Sequence, residues 1–402
     1  MEPTENKKPI SRNVVIMGLV SLFNDIASEM IYPIVPLFLN VVLGAPATII
    51  GVIEGIAESM ASILKVISGW FSDKIRRRKL FVTAGYSLST ISKLLIGLAQ
   101  TWGFVLFARV IDRIGKGTRT SARDALILES VDPAYRGRAF GLHRSMDSLG
   151  AVFGPLLALL LIHLYSSNYR MIFYIAFIPS LVGVILLVLF VKEKRKSAEE
   201  LGIAKPKDEK PFRFNWKEMD PRFKMFLLVS MLFALGNSSD AFLILRAKDL
   251  GLAVTLTVMA YVTFNITYFL FSYPAGWLSD KIGARKVMMI GFWLFALVYL
   301  FFGLTGSSFW VWFLFPIYGI YMALTDGISK AYISELVPKE KSATAIGAYL
   351  TATGLIMFVA STLAGFLWKY VSPSAPFYLG AATATIAAIL FMTLLRNKKY
   401  AL

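Results

Sequence analysis

Long apolar stretches alternate with short polar ones along the whole chain. The apolar runs cover 13–40, 48–71, 79–99, 103–128, 138–163, 171–192, 224–247, 253–277, 286–305, 309–335, 343–368 and 375–395. Each is close to the roughly 20 apolar residues that a helix needs to cross about 30 Å of hydrocarbon. A backbone in lipid has to satisfy its own hydrogen bonds, which favours helices. The runs are also too long for barrel strands and lack their alternation. The pattern therefore predicts an all-α integral membrane protein with twelve transmembrane helices. The first run follows the polar segment MEPTENKKPISR and continues from Asn13 to about Leu39 without a small-residue cleavage site. It is expected to be a retained helix, not a removable signal.

Charge sets the orientation. Lys74, Arg76, Arg77, Arg78 and Lys79 follow the second run, Lys281, Arg285 and Lys286 follow the eighth, and Arg396, Lys398 and Lys399 close the chain. The turns VVLGAP, QTWG and TGSSFW hold no cation. Positive loops stay cytoplasmic, so both termini are expected in the cytoplasm of a cell (plasma or inner) membrane. The organisation that follows is an N-terminal segment 1–12, a six-helix bundle 13–192, a cytoplasmic central linker 193–223, a second bundle 224–395 and a tail 396–402. The linker begins KEKRK and reads as a solvated segment held at the anionic inner leaflet.

Composition narrows the function. The 402 residues are 56% hydrophobic and 17% charged, with 42 Lys+Arg against 25 Asp+Glu, a net charge of +17. Those cations cluster at helix ends, which fits lipid headgroups and not nucleic acid. No cysteine and two histidines leave little for thiol or metal chemistry. No phosphate-binding G-x-x-x-x-G-K-[ST], HExxH or serine elbow is present. An enzyme and an ATP-driven pump are both disfavoured, and no cofactor is expected beyond a proton gradient.

The two halves repeat. GWFSDKIRRRK at 69–79 and GWLSDKIGARK at 276–286 agree at eight of eleven positions with an offset of 207. Glu129, Val131 and Gly141 match Glu335, Val337 and Gly347 at an offset of 206. Two parallel six-helix repeats are the architecture of one class of secondary transporter, with the substrate site between them at mid-membrane.

The repeated G-x-x-x-D-K-x-x-x-R-K loop resembles motif A of the major facilitator superfamily, and the resemblance covers essentially the whole chain. It implies two pseudo-symmetric six-helix bundles and a latch between them, built from Gly69, Asp73, Lys74 and Arg77 in the first copy and Gly276, Asp280, Lys281 and Arg285 in the second. The first copy carries Arg76 where the family usually has glycine. Gly141, Gly150, Gly154 and Pro155 resemble motif C of drug/proton antiporters, with Ala158 and Leu159 in place of the closing glycines. This favours export over uptake. ARVIDRIG at 108–115 resembles motif B, with Arg109 in the arginine position, Arg113 as the alternative and Asp112 in place of the usual glutamine.

Ionisable groups at membrane depth usually line a pathway or pair. The first half holds Asp25, Glu29, Glu54, Glu58, Asp112, Asp124 and Asp147 against Lys65, Lys93, Arg109, Arg113, Lys116, Arg119 and Arg123. Asp25, Glu29 and Tyr32 share a face of the first helix, and Arg109, Arg113, Lys116, Arg119 or Thr120, and Arg123 climb the fourth. In the family these two helices line the cavity, so an acidic stripe is expected to face a basic one. A neighbouring cation favours an ionised carboxylate and burial a neutral one, so a change of conformation can move a proton. Asp25 and Glu29, then Glu58 and Asp147, are the proton-carrier candidates; permanent ion pairs are the plainer alternative. His143 and Asp147 are spaced for a relay or for simple packing, and His163 is read as interfacial. From the second half, Asn237, Asp240, Asp326 and Lys330 are candidate substrate contacts, although Asp326 and Lys330 are also spaced to neutralise each other. Tyr268, Tyr318 and Tyr321 could stack on an organic substrate.

The function expected is a secondary transporter, monomeric in the bilayer, that exports a small organic solute against a proton gradient. The alternatives are a proton-coupled uptake symporter, a metal or chelate exporter, and a passive channel or scramblase.

Overall fold

The computed structural model describes residues 11–75, 77–131, 136–165, 168–193 and 219–394; inside these, the side chains of 62, 65–75, 128, 136–138, 140, 141, 144, 339–344 and 394 are not described. Most of the N-terminal segment, the central linker and the tail thus lie outside the described residues, as do the side-chain environments of Gly69, Asp73, Lys74 and Gly141.

Twelve helical rods make up the fold: α1 (Arg12–Val42), α2 (Ala47–Ile75), α3 (Arg78–Leu98), α4 (Trp102–Glu129), α5 (Arg136–Leu164), α6 (Tyr169–Phe190), α7 (Pro221–Asp249), α8 (Val254–Ile282), α9 (Ala284–Leu304), α10 (Ser308–Leu336), α11 (Lys339–Tyr370) and α12 (Ala375–Leu394). Among the described residues ten segments are long and apolar enough to cross a membrane. The other two rods are α2 and α4, and α4 carries the basic ladder.

Local sequence sets the ends and the breaks. The Ser11 hydroxyl accepts from the Val14 amide at 3.4 Å and the Thr101 hydroxyl from Phe104 at 3.4 Å, each satisfying an orphan donor of a first turn. Asp220 does the same for Arg222 at 2.7 Å, with Pro221 placed where its missing N–H is not needed. Gly283 links α8 to α9 at a φ of 90°, a left-handed conformation that suits glycine. The corresponding position in the first half is Arg76, outside the described residues. Two rods are broken. α1 stops at Ile31 ahead of Pro33 and resumes as Ile34–Leu37 and a π-turn over Phe38–Val42. α7 opens between Gly236 and Ala241, at the polar tetrad Asn237–Asp240.

In the first half α3 packs on α4 and α6, and α1 on α5 and α6; in the second, α9 packs on α10 and α12. One device recurs in both. The Tyr174 hydroxyl donates to the Gly97 carbonyl at 3.0 Å, and the Tyr378 hydroxyl to Gly303 at 2.9 Å. The two glycines are 206 residues apart, the offset found between the sequence repeats.

The halves meet along α2–α11 and α5–α8. Among the described residues, the α2–α11 crossing is tight from its middle to the end away from the basic loops. There the Ser59 hydroxyl donates to the Gly354 carbonyl at 2.6 Å, and Lys248 Nζ reaches Asn40 Oδ1 at 3.3 Å between α7 and α1. A side chain on Gly51, Gly55 or Gly365 would run into Ser361, Phe358 or Ala47 of the opposite half. Towards the basic loops, among the described residues, Asp326 and Lys330 are exposed, and a Cβ on Gly327 or Gly347 would meet open space. Among the described residues, the halves enclose a central space that is closed where α2 meets α11 and is lined towards the basic loops by the exposed Asp326 and Lys330.

Candidate functional site

The cavity wall is built from α4 outward. Arg109 and Arg113 lie one turn apart and reach across to Glu54 and Glu58, one turn apart on α2. Arg109 meets Glu54 at 2.6 Å, with both side chains almost fully buried, and Arg113 meets Glu58 at 3.3 Å. Lys116 follows on the same face and is exposed. The ladder then turns away. Ten residues of helix rotate about 80° short of whole turns, so Arg119 points behind α4. There it donates to the Ser89 hydroxyl at 2.5 Å and sits 4.5 Å over the Tyr86 ring. Arg123 reaches Ser21 of α1 at 3.3 Å and Asp124 at 3.0 Å. Asp112 also faces backward, 3.5 Å from the Ser92 hydroxyl and 3.6 Å from Arg113. Lys93 is fully buried beside it and donates to the Ser89 carbonyl at 2.9 Å.

The acidic stripe of α1 does not pair directly with this ladder. Its neighbour is the glycine run of α5. A Cβ on Gly150 would lie 2.8 Å from Asp25 Cβ, and one on Gly154 would lie 2.8 Å from Glu29 Cβ and 2.7 Å from the Ile26 carbonyl. Close approach of two backbones is what small residues permit, so these glycines fix how deeply the two carboxylates sit. Pro155 lies inside the same helix. Glu29 accepts a hydrogen bond from the Tyr261 hydroxyl at 3.1 Å, a contact from α1 of one half to α8 of the other. Tyr32 stacks on Tyr261 with centroids 5.6 Å apart. Asp25 takes a long contact of 3.5 Å from the Asn24 amide. Asp147 pairs with His143 at 3.5 Å, as their spacing of four suggests.

The second half supplies tyrosines. Tyr318 donates to Asp240 at 2.7 Å, Tyr268 to Asp326 at 2.7 Å, and the Asn237 amide to the Tyr321 hydroxyl at 3.1 Å. Asp240 and Asn237 owe their positions to the break in α7. In the second motif A copy, Asp280 is exposed, Lys281 lies 3.8 Å over the Trp277 ring, and Arg285 donates to the Phe391 and Met392 carbonyls at 3.2 and 3.0 Å. Arg77 of the first copy is exposed.

Glu54, Lys93 and Tyr261 stand out here without having been singled out as site residues from sequence. For Glu54 a signal existed: two carboxylates four apart on α2 match two arginines four apart on α4, the register of a two-rung ladder. Tyr261 had none, because its partner lies 232 residues away.

Comparison with known proteins gives a consistent result. The sequence model of the Major Facilitator Superfamily matches residues 17–246 and 225–401. An uncharacterized MFS-type transporter of Methanocaldococcus jannaschii is 39% identical, covering 96% of each chain. The cis,cis-muconate transport protein of Acinetobacter baylyi is 24% identical, covering 83% of this chain and 82% of that protein. Among solved structures, the nucleoside transporter NupG superposes with a TM-score of 0.75 at 15% identity, covering 96% of this chain and 100% of that one.

Proposed function

The chain belongs to the major facilitator superfamily, a family of transporters and not of enzymes, and from that premise we propose that it exports a small organic solute in exchange for protons. The observation that carries this is Glu29. It is a half-buried carboxylate on the cavity helix α1, seated by Gly154 and hydrogen-bonded across the halves to Tyr261. A carboxylate in that position ties its own charge to the contact between the bundles. Protonating it removes a charge-assisted hydrogen bond and changes the balance between facing states. Asp25, one turn away, is the second carrier.

The basic loops and both termini are assigned to the cytoplasm of the cell membrane, by the bias of Lys and Arg towards that side. On that assignment the cavity described here opens inward. The arginine–glutamate rungs hold α2 against α4, while Asp240, Asn237 and Tyr318 present polar groups from the opposite wall. Motif A acts as the latch that closes when the halves rock. Outward direction is supported by the glycine–proline groove of α5, directly behind the two carboxylates. One chain contains the whole cavity, so the working unit is a monomer. The muconate relative supports an organic solute.

The test uses everted membrane vesicles with an acid interior reported by a pH-sensitive dye. Adding an exported solute should dissipate the pH gradient in vesicles containing the protein and not in those containing the Glu29→Gln variant. If no solute in a broad metabolite panel does so, or if solutes enter only down an opposite gradient, export is refuted.

A further inference from the structure

We propose that the transported solute is an organic carboxylate and that Lys116 is the residue that receives its carboxylate group. The inference rests on the transport reading above but not on its direction. Lys116 lies seven residues from Arg109 and three from Arg113, so the three share one face of α4. The two arginines are committed to Glu54 and Glu58. Lys116 is exposed and lies within Coulombic reach of Glu29, Glu58 and Arg113. Exposure together with these neighbours puts its ammonium on the wall of the open cavity and not in lipid.

The pairing around the cavity is one-sided. The carboxylates on the wall have donors: Glu54 from Arg109, Glu58 from Arg113, Glu29 from Tyr261, Asp240 from Tyr318 and Asp326 from Tyr268, while Asp25 has a long contact of 3.5 Å from the Asn24 amide. Among the described residues, Lys116 makes no side-chain hydrogen bond and no ion pair. A lysine ammonium at membrane depth is costly without a counter-charge, and a mobile solute can supply one. A cationic solute would find the acids already answered and this ammonium repelling it. The Tyr32–Tyr261 stack flanks Glu29.

The probes are benzoate and 2,4-hexadienedioate, with the matching amides and benzylamine as neutral and cationic controls. Thermal shift is measured on the purified full-length chain in detergent. Both carboxylates should raise the unfolding midpoint saturably, and the amides and the amine should not. Lys116→Gln should weaken the carboxylate response roughly tenfold or more, Lys116→Arg should keep it, and Lys369→Gln, at the closed end, should behave as wild type. A response to the amides equal to that of the carboxylates, no carboxylate response at all, or an undiminished response in Lys116→Gln overturns the proposal. Should the glutamine variant not fold, the carboxylate-over-amide preference in wild type and Lys116→Arg decides alone. Lys116-dependent carboxylate binding without proton-linked flux would keep this inference and refute the transport reading. Proton-linked flux of a neutral solute without carboxylate binding would do the reverse.

Discussion

Removing Glu54 would leave the buried Arg109 guanidinium without its ion-pair partner. The pair sits at 2.6 Å with both side chains nearly inaccessible, and breaking such a pair from one side costs ~3–5 kcal/mol, far more than the net worth of the pair. Glu54→Gln should therefore lower the unfolding midpoint of the purified protein by several degrees. The double variant with Arg109→Gln should recover part of that loss, because both charges then go together. A double variant no more stable than the single would show that the pair is not the source. Asp25 and Glu29 answer to a different test, since neither sits in an ion pair with an arginine of α4. Asp25→Asn and Glu29→Gln should express and fold normally yet lose gradient-driven transport, read as solute accumulation in vesicles; full accumulation in both single variants and in the double would refute their role. Tyr261→Phe removes only the donor to Glu29, a charge-assisted bond worth ~1.5–3 kcal/mol. It should shift the balance between facing states and alter turnover without abolishing binding.

Helix contacts make a separate set of demands, and glycine substitutions separate them cleanly. At Gly154 an added methyl would lie 2.7 Å from the Ile26 carbonyl and 2.8 Å from the Met30 amide nitrogen. Backbone cannot move aside as a side chain can, so Gly154→Ala should cost ~1–3 kcal/mol by overpacking and push α1 off its seat, with loss of transport. Gly347→Ala, where the same methyl meets open space, should stay within ~0.5 kcal/mol of wild type. Equal stability of the two variants, by chemical or thermal unfolding, would count against a tight α1–α5 crossing. Sequence made the glycine spacing plain, but not that the carboxylates of α1 fill the groove it creates. The same holds for α4: its basic residues were evident, while the angular drift that sends Arg119 to Ser89 and leaves Arg109 and Arg113 facing Glu54 and Glu58 depends on helix geometry and on which helix lies opposite. The twelve rods follow the apolar runs of the sequence, and among the described residues ten of them meet the apolar length that lipid imposes. The opening in α7 at Asn237–Asp240 was not, because a window long enough to detect a crossing averages over four polar residues.

At the scale of the whole molecule, the small residues described along α2 and α11 act as a seal. Gly51, Gly55 and Gly365 let the two halves touch at the end remote from the basic loops, and the Ser59 bond to the Gly354 carbonyl fastens them. Nothing comparable among the described residues joins α10 to the first half near Asp326 and Lys330. A rocking transporter must break this seal and form another at the opposite end, so the two ends should differ in solvent access at any one time. The chain contains no cysteine, which makes single-cysteine probes free of background. Ser361→Cys places a thiol in the seal, where the native side chain is fully buried, and Ser334→Cys places one on exposed α10 near the basic loops. In the state described here a water-soluble maleimide should modify Cys at 334 at least tenfold faster than at 361, the ratio produced by a bias of ~1.4 kcal/mol between the two facing states. Adding Gly51→Val, whose side chain collides with Ser361 of the other half, should raise reactivity at 361 by forcing the seal apart. Equal rates at the two positions, or a rate at 361 unmoved by Gly51→Val, would mean that α2 and α11 do not form the closed gate.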